Sequence, residues 1–219
     1  MRDWRLGLLA IGFLGLLNSW VNGQVPGSLD ASFGVDGAVT IDLGPDETCA
    51  RLLTDAEGNF YFLGNISRYD SVADLDFLVG KCKPDGKLDI GFGDGGQLSG
   101  DFGGFRNSRI LDADLRDGAI YLIGEGGNGS LDTQQVFIGK LGLNGQWDAD
   151  FGLNGFFSRK FVGEWAAAGA IKALEDGRIA YCGMTTDTNA WHIELPMAGR
   201  LLANGLADSS FGNTGCITW

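Results

Sequence analysis

Leu29-Asp30-Ala31-Ser32-Phe33-Gly34-Val35-Asp36-Gly37 decides the reading, because the stretch returns three times. The later copies are Leu88-Asp89-Ile90-Gly91-Phe92-Gly93-Asp94-Gly95-Gly96, Trp147-Asp148-Ala149-Asp150-Phe151-Gly152-Leu153-Asn154-Gly155 and Ala207-Asp208-Ser209-Ser210-Phe211-Gly212-Asn213-Thr214-Gly215. Each copy reads D-x-x-F-G-x-x-G, and the phenylalanines lie 59, 59 and 60 residues apart. Four matches at one spacing mark an internal repeat, the signature of stacked copies of one structural unit. The motif's residues suit structural work. Phe can lodge between neighbouring sheets, worth roughly 1.5–3 kcal/mol when fully buried. The glycines allow positive φ where the chain turns, and the aspartate can hold a turn by accepting a backbone N–H.

Two more landmarks keep the phase. Gly58, Gly118 and Gly177 each precede a short apolar run ending in Gly64, Gly124 and Gly183. Phe77-Leu78-Val79-Gly80-Lys81 and Phe137-Ile138-Gly139-Lys140 then lead to the turns Asp85-Gly86 and Asn144-Gly145. The third unit departs from the pattern with Glu194-Leu195-Pro196-Met197 before Asn204-Gly205, so its last strand is the least regular. Short runs rich in aromatic and β-branched residues, bounded by Asp-Gly and Asn-Gly, read as strands and hairpins. Residues 165–174 are the nearest helical rival, but their phase is extended in the other units. Unit one reads as strands near 38–43, 48–54, 59–64 and 76–83. The runs are apolar at successive positions, as in strands buried on both faces. The expectation is an all-β chain: a propeller-like array of about three four-stranded antiparallel sheets, one per repeat, in an open or incomplete ring.

The pattern resembles the delta-60 repeat family of exported bacterial proteins. The resemblance rests on L-D-x-x-F-G-x-x-G, on D-G before a strand ending in G, and on F-x-x-x-K-x-x-x-D-G-x-L-D from Phe77 to Asp89. It covers nearly all of residues 26–219, with Trp147 and Ala207 standing in the leucine slot. It implies a β-propeller-like protein of unassigned molecular function, and it supplies no catalytic residues.

Domain organisation follows. Arg2 and Arg5 precede an apolar run over residues 6–17 and a short polar stretch ending at Gly23, which reads as a secretory signal peptide over residues 1–23. Twelve helical residues span about 18 Å, short of a hydrocarbon core of about 30 Å. Residues 24–219 form the repeat domain, with units near 29–87, 88–146 and 147–205 and a partial fourth copy over 206–219. The expected location is secreted or periplasmic, with no membrane span after cleavage. Four cysteines, Cys49, Cys82, Cys182 and Cys216, allow two disulfides in three pairings, or buried thiols. About 3.3 units fall short of the 4–8 blades of a closed propeller. Exposed sheet faces then favour self-association, about six blades for two chains; a shortened product is the plain alternative.

Chemistry is sparse. Glycine makes up 37 of the 219 residues without a Gly-X-Y period, which excludes collagen. The net charge of −12 and pI near 4.3 argue against nucleic-acid or anionic-membrane partners. His192 is the only histidine, so any Ser-His-Asp relay would have to use it. No Cys/His cluster suggests zinc. Asp112-Ala113-Asp114-Leu115-Arg116-Asp117-Gly118 faintly resembles a calcium loop, with the wrong spacing for an EF-hand; otherwise no cofactor or metal is expected. Asn65-Ile66-Ser67 and Asn128-Gly129-Ser130 fit the glycosylation pattern. Trp165, Trp191 and Trp219 are candidates for an aromatic platform, though core packing is the commoner fate. The functional expectation is an exported non-enzymatic binding or structural module whose partner is a protein or glycan. It would be recognised by the loops at 67–73, 125–133 and 185–190. The competing expectation is a secreted propeller-type hydrolase or lyase acting on a glycan or lactone through carboxylates.

Overall fold

The computed structural model describes residues 27–44, 46–68, 71–129, 133–160, 166–186 and 193–219. Among them are twelve strands and no helix: β1 (Glu47–Thr54), β2 (Phe60–Arg68), β3 (Ser71–Cys82), β4 (Gln97–Gly100), β5 (Asn107–Arg116), β6 (Ala119–Gly127), β7 (Gln135–Gly142), β8 (Phe156–Arg159), β9 (Ala166–Ala173), β10 (Ile179–Thr186), β11 (Glu194–Leu201) and β12 (Cys216–Thr218). The chain is all-β, with one sheet of eight strands and one of four, neither closed. The eight-stranded sheet is two antiparallel runs, β1-β2-β3-β4 and β5-β6-β7-β8. A single parallel bridge, Leu75 to Asn107, joins them. The other sheet runs β9-β10-β11-β12. Residues 1–23, read as a signal peptide, lie outside the described residues.

Each antiparallel run takes three strands from one repeat and its fourth from the next. β4, β8 and β12 follow the second, third and fourth motif copies and pair back onto β3, β7 and β11. This corrects the expectation of one self-contained sheet per repeat. It also corrects the strand expected at 38–43: only the bridge Val35–Ala38 forms there. In the other units that segment pairs with the last strand of the unit before, and no described unit precedes residue 38. The irregular strand of unit three does form, as β11, between β10 and β12.

Burial follows the stacking order. Tyr61, Leu63, Phe77 and Val79 of the first run share one core with Ile110, Ala113, Ile120, Leu122, Phe137 and Leu141 of the second. Tyr121, Ile123, Val136 and Ile138, on the other face of the second run, share a second core with Ile171, Ile179, Tyr181, Met197 and Leu201. Strand β6 is therefore apolar at successive residues because a core lies on each side of it, whereas β1 is largely exposed. The first strands of the three runs, β1, β5 and β9, which adjoin one another and are termed the inner strands, each skip one residue in register, at 50, 111 and 169. There the facing glycine leaves no room for a side chain: a Cβ on Gly64 would collide with the Thr48 carbonyl, and one on Gly124 with that of Arg109.

The motif locks one antiparallel run to the next. Phe33, Phe92, Phe151 and Phe211 each donate their amide to the motif aspartate's carbonyl at 2.9 Å. The following glycine amide then reaches the turn that closes the same repeat unit, which lies in the next antiparallel run: Gly34 N–H to Asp85 O at 3.1 Å, Gly93 to Asn144 at 3.2 Å, Gly152 to Asn204 at 2.8 Å. These carbonyls belong to the Asp-Gly and Asn-Gly turns. Phe92 and Phe151 are each 1% exposed. Each motif closes in a tight turn with two positive-φ residues, such as Asn154 (55°) and Gly155 (97°), the geometry of a two-residue hairpin.

Gly145 tests the lock against ordinary turn strain. Gly118 and Gly145 have similar φ, 74° and 82°, but a Cβ on Gly118 meets nothing within 4 Å while one on Gly145 meets the Gly93 backbone nitrogen at 2.5 Å. In urea denaturation Gly118→Ala should lose about 1–2 kcal/mol, and Gly145→Ala about 3 kcal/mol or more. Equal losses would mean that the turn-to-motif contact is not tight.

Candidate functional site

The repeated polar residues are spent on the fold. The motif aspartates accept backbone N–H groups two residues on: Asp30 Oδ1 from Ser32 at 2.9 Å, Asp89 from Gly91 at 3.3 Å, Asp148 from Asp150 at 3.1 Å and Asp208 from Ser210 at 3.0 Å. Three of them also bind a cation from the preceding strand: Lys81–Asp89 at 3.2 Å, Lys140–Asp148 at 2.8 Å and Arg200–Asp208 at 2.7 Å. The lysines lie over the rings of Tyr61 and Tyr121, 5.5 and 5.8 Å from the centroids. Ala180 holds that position in unit three, and Arg200 stacks over Phe211 instead, at 4.8 Å. Lys81 and Lys140 hold the Asp89 and Asp148 carboxyls below the usual range; Ser210 and then Arg200 do so for Asp208. Ionised and paired, these carboxylates have no proton to deliver at neutral pH. Each sits in the turn of its own motif copy.

The calcium-like stretch is occupied in the same way. Asp112 pairs with Arg51 at 3.0 Å and accepts the Ile171 amide at 3.0 Å. Asp114 binds Lys172 at 2.9 Å and accepts the Ala173 amide at 2.9 Å. Both bind neighbouring inner strands, and Asp117 is a positive-φ turn residue (51°). Among the described residues no group of three or more His, Cys, Asp or Glu could hold a metal ion.

Non-repeating polar groups gather where the β2–β3 and β6–β7 hairpins end. Arg106 Nη2 lies 3.7 Å from Asp74 Oδ2, and the Arg106 amide donates to Asn128 Oδ1 at 3.1 Å. The Asn128 amide donates to Thr133 Oγ1 at 2.9 Å. Asp74 is buried, and among the described residues its Oδ1 has no hydrogen-bond partner. This is the end of the sheets at which the 67–73, 125–133 and 185–190 loops were expected to recognise a partner. Residues 69–70, 130–132 and 187–190 of those loops lie outside the described residues, as do His192, Trp191 and Trp165. Trp219 is described and is 65% exposed.

The shared structural role of Glu125 and Asn65 went unnoticed in the sequence because the two differ in type. They occupy the same phase, one residue past Gly124 and Gly64. Asn65 Oδ1 accepts the amide of Ile110 at 2.8 Å, and the Glu125 carboxyl accepts that of Ala168. Each thus satisfies the inner strand of the next unit beside its bulge. Only the shared phase, not residue identity, could have revealed the pair. Asn65, a candidate glycosylation acceptor, is committed to this contact.

An apolar cavity of about 710 Å³ opens on the outer face of the first antiparallel run. Leu52, Phe60, Phe62, Leu78 and Cys82 form its floor, and Val39 and Ile41 of the N-terminal segment its side. All four cysteines are unbridged: Cys49 and Cys182 exposed, Cys82 and Cys216 buried. Among the described residues no helix is long and apolar enough to cross a membrane. No family model, curated protein or solved structure matches the chain.

Burial pushes the Glu125 carboxyl above its ordinary value, opposed by Arg109, the Ala168 amide and Gln134. A carboxyl raised on folding favours the native state less once pH climbs past the unfolded value. Glu125→Gln should therefore melt higher than the parent at pH 7, with the two curves converging near pH 4. A lower melting point for the variant at pH 7 would show that the ionised form is the stabilising one.

Proposed function

We propose that the chain is an exported, non-enzymatic, β-propeller-like repeat protein of the delta-60 type, serving as a binding or structural module. One observation carries this reading. The recurrent charged residues are consumed in locking unit to unit, while the groups that differ between units collect at the hairpin ends. Three successive antiparallel runs, each completed by a strand from the next repeat, support a propeller-like arrangement. Such a scaffold holds loops rigidly, and loops on a rigid scaffold are the usual place for recognition. The exposed Arg106 and Asn128, beside the buried Asp74, present hydrogen-bonding groups suited to a glycan or a polar peptide segment.

The test is a paired screen of the purified protein. Common glycans and lactones are offered with and without calcium and assayed for turnover, and the same protein is applied to glycan and peptide arrays. The reading predicts no turnover and saturable binding that weakens in Arg106→Ala. Turnover abolished by a chelator would replace it with the hydrolase or lyase reading.

A further inference from the structure

The apolar cavity repeats a surface that the chain covers twice elsewhere. Strand register makes Leu52, Phe60, Phe62, Leu78 and Cys82 equivalent to Ala113, Ile120, Leu122, Phe137 and Leu141 in the second run. The same positions in the third are Ile171, Ile179, Tyr181, Met197 and Leu201. All ten of those residues are buried against the run before them. On the first run Leu52 is 59% exposed, and Phe60 and Phe62 are only half-buried.

The matching surface lies at the other end of the molecule. Tyr61, Leu63 and Val79 receive the second run, and Tyr121, Ile123 and Ile138 receive the third. Their counterparts on the third run are Ala180, Cys182 and Ala198, small apolar residues that are partly or wholly exposed. Large side chains on one face and small ones on the other make the two surfaces complementary in volume.

We propose that the outer face of the first run docks on the outer face of the third run of a second copy, continuing the internal stacking from chain to chain. The proposal goes beyond the recognition role of the hairpin ends and stands on the sheet contacts alone. The fourth motif fits it. Phe33, Phe92 and Phe151 are each followed by a glycine whose amide meets an x-Gly turn of the next run, and Gly212 meets no such turn within the described residues. In the assembly it meets the Asp85-Gly86 turn of the second copy.

That turn is already held within each chain by Phe33-Gly34, so one of the two motifs must yield. The C-terminal copy is the better anchored because it leads into β12, which pairs with β11, whereas the N-terminal copy leads into no strand before β1 among the described residues. The contacts of the N-terminal copy with the turn include the Gly34–Asp85 hydrogen bond and the Phe33–Phe60 ring contact at 5.3 Å. Leu29 and Val35 beside it are exposed. The N-terminal segment therefore acts as an internal competitor for the docking face.

Native cysteines report the contact. Cys49 stands where Ile110 stands in the second run, and Cys182 where Leu63 stands in the first. Ile110 and Leu63 lie in one core, so docking brings Cys49 of one copy beside Cys182 of another. The full chain is treated with diamide, which oxidises two thiols to a disulfide, and is sedimented over a concentration series. The proposal predicts concentration-dependent association, and linked species whose bridged peptides contain Cys49 and Cys182. Leu52→Lys, at an exposed position that leaves the fold intact by circular dichroism, should weaken association about tenfold or more. Phe33→Ala, which removes the competitor, should strengthen it. A monomer at every concentration, bridges joining Cys49 to Cys49, or association indifferent to Leu52→Lys would each overturn it.

Discussion

Everything in this molecule depends on a phenylalanine-glycine pair that seats itself in a turn of the antiparallel run ahead. The phenylalanine fills the gap between neighbouring sheets, and the glycine amide closes the distance to a carbonyl 51 or 52 residues further on. No residue with a side chain could replace the glycine: a Cβ on Gly93 or Gly152 would strike the backbone of the chain's own return turn. The contact is covalently cheap and sequentially distant, so it sets where one sheet sits on the next. Hydrogen bonding inside each sheet then proceeds locally from hairpins.

The second consequence is interleaving. Because the strand after each motif pairs backward, every unit is bound to its predecessor by a ladder as well as by packing. A polar layer reinforces the same joint on the inner strands. Arg51 reaches Asp112 across one joint, and Asp114 reaches Lys172 across the next. The cation comes from the earlier strand at the first joint and from the later strand at the second. Partly exposed ion pairs of this kind add about 0–1 kcal/mol each, so they tune alignment more than they hold the sheets together.

Much of the fold was legible in the sequence because its determinants recur in type as well as in position. Glycine, phenylalanine and aspartate were each irreplaceable at their slots, so the period stood out. The strand at 38–43 failed for a physical reason: its sequence is that of a first strand, but pairing needs a partner edge, and none lies ahead of it among the described residues. The sharing of strands between repeats was hidden because sequence phase says where strands lie and not which neighbour they choose. At the candidate site the legible part was negative, the assignment of the repeated aspartates to turns. Asp74 and Arg106 escaped notice because each occurs once, and Glu125 because its counterpart is an asparagine. The apolar cavity was illegible for a related reason: Leu52, Phe60 and Phe62 read as core residues, and in the equivalent runs they are.

Amide hydrogen exchange resolved to single residues tests the central claim most directly. If the motif glycines lock the units together, the amides of Gly93 and Gly152 exchange only through opening of the whole stack, with protection close to that of the β6 core. Exchange of those two amides as fast as that of the exposed Gly212 would show that the turn-to-motif contact does not hold the sheets in register.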